Sequence, residues 1–288
     1  MGFRTAALSN SNATDASYDA WVNEIYNALI AFGWLQTSDT GSGAITSWPT
    51  TATRPSAINT YPNWAVFKMN DGNQTAAPVY MRLDFGTGSQ TNIAAIKFQV
   101  AIGGSNGTGA LTGNIITQIT LDPASTTLQT CNMRTAGSSS SFRFAWLMEV
   151  GLNGTNIAFA VERDLDTSGV ETSLGLNVLT MRSALTSQFL ETAGGVGPLE
   201  TRWYAMLSAQ TTQAGGGMVG VGPVRCTLGV FRNPMKTVLG FAKTDFLRDT
   251  TNPVTLYGVS HTYLMMNAVF TISTLGWNTN AGFAFLWE

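Results

Sequence analysis

Charge is what this 288-residue chain has least of. Asp, Glu, Lys and Arg make up 11% of it, against about 25% in ordinary soluble domains. The net charge is −2 and no basic run occurs. Nothing therefore resembles a phosphate-neutralising surface, and no nucleic-acid partner is expected. Histidine is rarer still, with His261 alone. The two cysteines, Cys131 and Cys226, are too few for a disulfide framework or a zinc site and read as buried, reduced thiols. No apolar run reaches the roughly 18 residues of a membrane span, so no membrane partner is expected. The opening MGFRTAALSNSNATDAS has no apolar h-region, so no secretory leader is expected. Without one, the Asn-x-Ser/Thr matches at Asn12, Asn73, Asn106 and Asn153 carry little weight.

What the chain does have is apolar residues, 44% of the total, which excludes a disordered chain. Its polarity comes from Ser, Thr, Asn, Gln and Gly. A near-neutral surface lowers self-repulsion and suits a subunit that packs against others, although adhesins and carbohydrate binders share this composition. One helix is expected over 15–32. Tyr18, Val22, Ile25 and Leu29 recur at three- and four-residue spacing, with Trp21 and Phe32 beside them. Asp15 can cap its start and Gly33 suits a left-handed position after its end. Its apolar stripe packs either on its own domain or on a neighbouring subunit. In the second case Tyr18, Trp21, Ile25 and Leu29 form an assembly surface. Residues 37–63 follow as a long Thr/Ser/Pro/Gly segment, a length usual for loops that are functional or packed on a partner.

Beyond this the apolar period changes to two. Val79, Met81, Leu83 and Phe85 alternate with Tyr80, Arg82 and Asp84; Ile96, Phe98, Val100 and Ile102 alternate with Lys97 and Gln99. Phe142, Phe144, Trp146, Met148 and Val150 repeat the pattern. Such stretches are half-buried antiparallel strands. Many more short candidates follow, separated by turn signals. The expected fold is mainly β: an antiparallel sandwich or barrel-like architecture with one N-terminal α-helix. We divide the chain into a helix and long loop over 1–63, a β-rich domain over 64–195 and a β-rich part over 196–288. The alternative is one continuous β domain over 64–288.

The tract AIGGSNGTGALTG at 101–113 holds five glycines in thirteen residues. Gly104 and Gly109 have P-loop spacing, but Ala110 and Leu111 stand where Lys and Ser/Thr belong. A dinucleotide fingerprint fails at Thr112. The chain continues as β-branched NIITQITL rather than as a helix that would bind the anion. The tract therefore reads as a connection between strands. In RDLDTSGVE, Asp164, Asp166, Ser168 and Gly169 match calcium-loop positions, but Gly175 stands where the bidentate Glu belongs. We read a hairpin turn, and expect no metal and no cofactor.

No catalytic residue is assigned: there is no Gly-x-Ser-x-Gly elbow and no zinc-binding His pair. A glycosidase needs only two carboxylates of the seventeen present, and the sequence does not say which meet in space. Of the eight tryptophans, Trp21 and Trp146 lie on apolar faces. Trp48, Trp64 and Trp277 stand near turns, and Trp48 and Trp277 are the candidate exposed aromatics.

Four pieces of the chain, in order, resemble a widespread family of tailed-bacteriophage virion proteins whose role is generally unassigned. They are YDAWVNEIYNALIAFGWLQTSDTGSG with WPTTATRP; NWAVFKMND with APVYMRLDFGTG; IGGSNGTGALTG; and NPMKTVLGFAKTDF with TLYGVSHTYLMM and the closing FAFLWE. The resemblance implies a non-enzymatic virion structural protein, assembled in the bacterial cytoplasm as a homo-oligomer with other virion proteins in the tail, neck or collar. The alternatives are a receptor- or carbohydrate-binding module on the virion, with a host surface glycan as partner, or a capsid decoration protein.

Overall fold

The alternation of apolar and polar residues becomes antiparallel sheet, and the one stripe at helical spacing becomes the helix that covers it. In the computed structural model these elements are described over 2–9, 15–51, 53–71, 74–75, 78–89 and 94–115, and beyond these as the strands given below. Side-chain surroundings are described over 16–51, 53–71, 74–75, 78–89 and 94–115 and at a few later positions. In chain order the elements are β1 (Gly2–Ser9), α1 (Asp15–Ala31), β2 (Leu35–Gln36), β3 (Thr60–Lys68), β4 (Val79–Thr87), β5 (Ala94–Ser105), β6 (Leu111–Ile115) and β7 (Ile119–Leu121). Then come β8 (Thr130–Ser138), β9 (Arg143–Val150), β10 (Asn156–Leu165), β11 (Glu171–Ser183), β12 (Trp203–Ala205) and β13 (Gln210–Thr212). The last are β14 (Met218–Cys226), β15 (Pro234–Ala242), β16 (Thr251–Leu256), β17 (Val259–Thr271) and β18 (Asn280–Leu286).

Among the described residues the strand pairings within the sheets are antiparallel, in three sheets. One runs β1-β8-β9-β10-β11. A second runs β12-β14-β15-β18-β17-β16, with β13 also on β14. The third runs β2-β3-β4-β5-β6, with β7 also on β5. The third sheet is open, ending at β2 and β6, and does not close into a barrel. The residues before the helix form β1, which pairs along its whole length with β8. The stretch 1–63 thus contributes strands to two sheets. Residues 208–222, rich in glycine, contain β13 and the start of β14, where glycines alternate with Val219 and Val221.

The helix lies on the third sheet by burial of the expected stripe. Tyr18, Trp21, Val22, Ile25, Leu29 and Phe32 are buried with Phe67, Met81, Leu83, Phe85, Ile96, Phe98 and Val100 in one core, and Val161 of β10 joins them. The Trp21 ring meets Phe85 edge-on at 6.3 Å, a favoured aromatic geometry. Gly33 follows the helix at φ 85°, and its N–H donates to Ile30 O at 3.0 Å. In the chain itself the side chains of Tyr18, Trp21, Ile25 and Leu29 are at most 2% exposed, because the apolar face of β4 and β5 is the nearest surface that can remove them from water. Ile30, at 40% exposure, is the large apolar residue that the helix leaves outside. Among the described residues no helix is long and apolar enough to cross a membrane.

Candidate functional site

The glycine tract folds into the β5–β6 hairpin. Ser105 pairs with Leu111, and Gly103 with Gly113. At its tip the Asn106 side-chain oxygen accepts from the N–H groups of Thr108 (2.9 Å) and Ala110 (3.1 Å) and from the Thr108 hydroxyl (3.0 Å). One short polar side chain thereby satisfies the turn's backbone. The sequence reading of a strand connection holds.

The tip is fastened to the body by a carboxylate that the sequence did not single out. Asp39, 6% exposed, lies in the loop after β2. It accepts from Ser105 Oγ at 2.7 Å, from the Gly109 N–H at 2.9 Å and from the Thr37 hydroxyl. Thr40 N–H also donates to Gly107 O at 3.0 Å. Burial alone would raise the Asp39 pKa. The hydroxyls of Thr37 and Ser105 and the backbone of Gly109 and Gly107 outweigh it and hold the carboxyl below its ordinary value.

Beside this clamp, Trp64 of β3 and Arg82 of β4 form the tip's other support. The Arg82 guanidinium grips Asp84 through Nε (3.0 Å) and Nη2 (2.5 Å), and donates from Nη1 to Gly109 O at 2.9 Å. It also stands 4.8 Å from the centre of the Trp64 ring, a cation–π geometry. Trp64 Nε1 donates to Ser42 O at 2.9 Å. This cluster occupies the face of the sheet opposite the helix, with Val66, Ala101 and Leu111 buried around it.

The long loop over 37–59 packs on its own chain. Its first part closes the outer edge of β3: Thr37 N–H donates to Val66 O (2.9 Å), Ile45 N–H to Trp64 O (2.8 Å), and Trp64 N–H to Gly43 O (2.9 Å). Trp48 is half-buried rather than a free aromatic face. Its ring stacks on Tyr26 of α1 with centroids 4.1 Å apart and planes 8° from parallel, and Nε1 donates to Gln36 Oε1 at 2.6 Å. Gln36 Nε2 in turn donates to Ile45 O at 2.5 Å. Asn23 of the helix makes a reciprocal pair with Thr50, accepting from its N–H at 2.7 Å and donating to its carbonyl at 3.0 Å.

Held this way, the loop and the start of β3 border an open groove of about 490 Å³, lined by Ile45, Thr46, Ser47, Thr50, Thr51, Thr53, Pro62 and Asn63 among others. No lining residue carries a charge. Behind it the buried Tyr18 Oη lies beside the Asn63 side chain. Burial pushes the Tyr18 phenol above its ordinary pKa, and the nearby Asn63 side chain offsets this only in part. The groove was legible only as a loop long enough to have a purpose. Which of its hydroxyls share a wall depends on the contacts with Tyr26, Gln36 and Asn23.

The remaining expectations fall elsewhere. Asp164 stands in β10, whereas Asp166, Ser168 and Trp277 lie outside the described residues. Cys131 stands in β8 and Cys226 in β14, in different sheets. His261 pairs in register with Val254. Among the described residues no group of three or more His, Cys, Asp or Glu is placed to hold a metal. Comparison with protein-family models, with curated proteins and with solved structures yields no match.

Proposed function

We propose that this chain is a non-enzymatic structural subunit of a tailed-phage virion, packing as a homo-oligomer against copies of itself and other virion proteins in the tail, neck or collar. The ordered sequence pieces that resemble such proteins suggest the setting. One structural observation carries the assembly reading: the third sheet treats its two edges differently. On one side, β3 is covered by the two-residue β2 and, beyond it, by the chain's own loop. On the other, among the described strands β6 ends the sheet, with Thr112, Gly113, Asn114 and Ile115 exposed and Ile115 at 43%. The outward N–H and C=O groups of a sheet's last strand, with an apolar side chain beside them, are a template for another chain.

The test is the solution mass of the purified chain beside that of Ile115→Lys and Asn114→Pro. An oligomer that dissociates in both variants, with the melting temperature kept, supports the reading. A wild-type monomer at virion-like concentrations would overturn it. Copies per purified particle then separate a tail or collar ring from a capsid coat.

A further inference from the structure

We propose that the groove between the 43–53 loop and the start of β3 binds a neutral saccharide. This goes beyond the assembly reading and does not depend on it. At about 490 Å³ the groove falls within the roughly 300–1,000 Å³ range of small-ligand sites. Its chemistry selects the ligand. Thr46, Ser47, Thr50, Thr51 and Thr53 offer hydroxyls, each at once a donor and an acceptor. A sugar's hydroxyls have the same dual character. Ile45 and Pro62 supply apolar surface for the C–H face of a sugar ring. A phosphate or carboxylate ligand would find no cation among the lining residues, and a purely apolar ligand would strip water from polar lining atoms without replacing it.

Two further observations point the same way. Asn63, at the groove's β3 wall, carries an amide that both donates and accepts, and the broad terminal torsion of Asn allows it to turn to a ligand hydroxyl. The walls are also preorganised. The Tyr26–Trp48 stack and the Asn23–Thr50 pair hold the loop from behind, so little conformational freedom is lost on binding. Trp48 neighbours the groove without lining it, which makes it a built-in reporter.

The experiment is a titration of the full chain with maltotriose, cellotriose and chitotriose, followed by saturation-transfer NMR and tryptophan fluorescence, with glucuronate as the charged control. The proposal expects saturable millimolar binding of at least one neutral trisaccharide and none of glucuronate. Thr51→Val/Thr53→Val changes exposed positions and keeps the fold. Losing two hydrogen bonds should weaken its binding by about fivefold or more. Asn63→Ala should weaken it too, with its melting temperature reported alongside. Retardation in gels of the matching polysaccharide distinguishes the source: retardation stronger than the trisaccharide affinity assigns a polymer, and equal strength assigns free sugar. No saturable response to any of the three sugars, or undiminished affinity in the double-valine variant, would overturn the proposal.

Discussion

The indole of Trp64 occupies the space where any residue but glycine at 109 would place its side chain. A Cβ on Gly109 would lie 2.6 Å from two of the ring atoms, and the backbone there has φ +90°. Gly107, two residues earlier, has a similar φ of +81°, but a Cβ there would meet nothing within 4 Å. The two glycines separate backbone strain from steric exclusion. Gly107→Ala should cost only the left-handed penalty, about 1–2 kcal/mol. Gly109→Ala should cost that and also displace Trp64 from Arg82, for about 3 kcal/mol or more in total. Urea unfolding of both variants checks the difference, and equal costs would remove Trp64 from the account of the hairpin tip.

Asp39 makes stability depend on acid. Its folded-state pKa is depressed below the ordinary 3.8. Its contribution is therefore complete above the unfolded value and is lost as pH falls through the folded one. At neutral pH, Asp39→Asn should cost about 1.5–3 kcal/mol, the scale of hydrogen bonds to a charged acceptor. The gap between wild type and variant should close as the pH drops well below 3.8. Chemical denaturation at several pH values measures it, and a gap that persists in acid would contradict the clamp.

Tyr18 behaves oppositely. Its hydroxyl is buried beside the Asn63 side chain, so Tyr18→Phe should lie within about 1 kcal/mol of wild type, on either side. The raised phenol pKa has its own sign. Stability is complete below the ordinary value of 10.0 and falls above it, where the unfolded chain ionises and the folded one resists. Tyr18→Phe should lessen the alkaline loss of stability. A pH series of thermal melts above neutrality would expose an unchanged alkaline limb.

The helix stripe supplies the largest single effect. Trp21→Ala empties a fully packed site between Tyr18 and Phe85 and should cost about 3–5 kcal/mol. Ile30→Asp, on the exposed side, should stay within about 0.5 kcal/mol. If calorimetry found the two alike, the helix would not be seated on the sheet as described.

Much of this architecture follows from local pattern. A 3.6-residue stripe from Tyr18 to Phe32 admits one buried helical face. A strict period of two over 79–85 and 96–100 admits one buried strand face. The missing lysine after Gly109 and the β-branched continuation already made the glycine tract a strand connection. Strand β1 was not legible, since GFRTAALS has little alternation and takes its shape from pairing with β8. Asp84 shows the limit of period two: on the polar side of β4, it is only 4% exposed, because the Arg82 fork lies against it.

Periodicity in the sequence thus determined which faces of the helix and of strands β4 and β5 are apolar, because burial there depends only on neighbours along one element. Tertiary structure alone decided what those faces meet. It seats the helix stripe on the chain's own sheet, stacks Trp48 on Tyr26, brings Asp39 to a hairpin 70 residues away and gathers the loop hydroxyls around one groove. Each of these joins residues distant in sequence, and no local spacing encodes which polar group will find which partner once water is excluded.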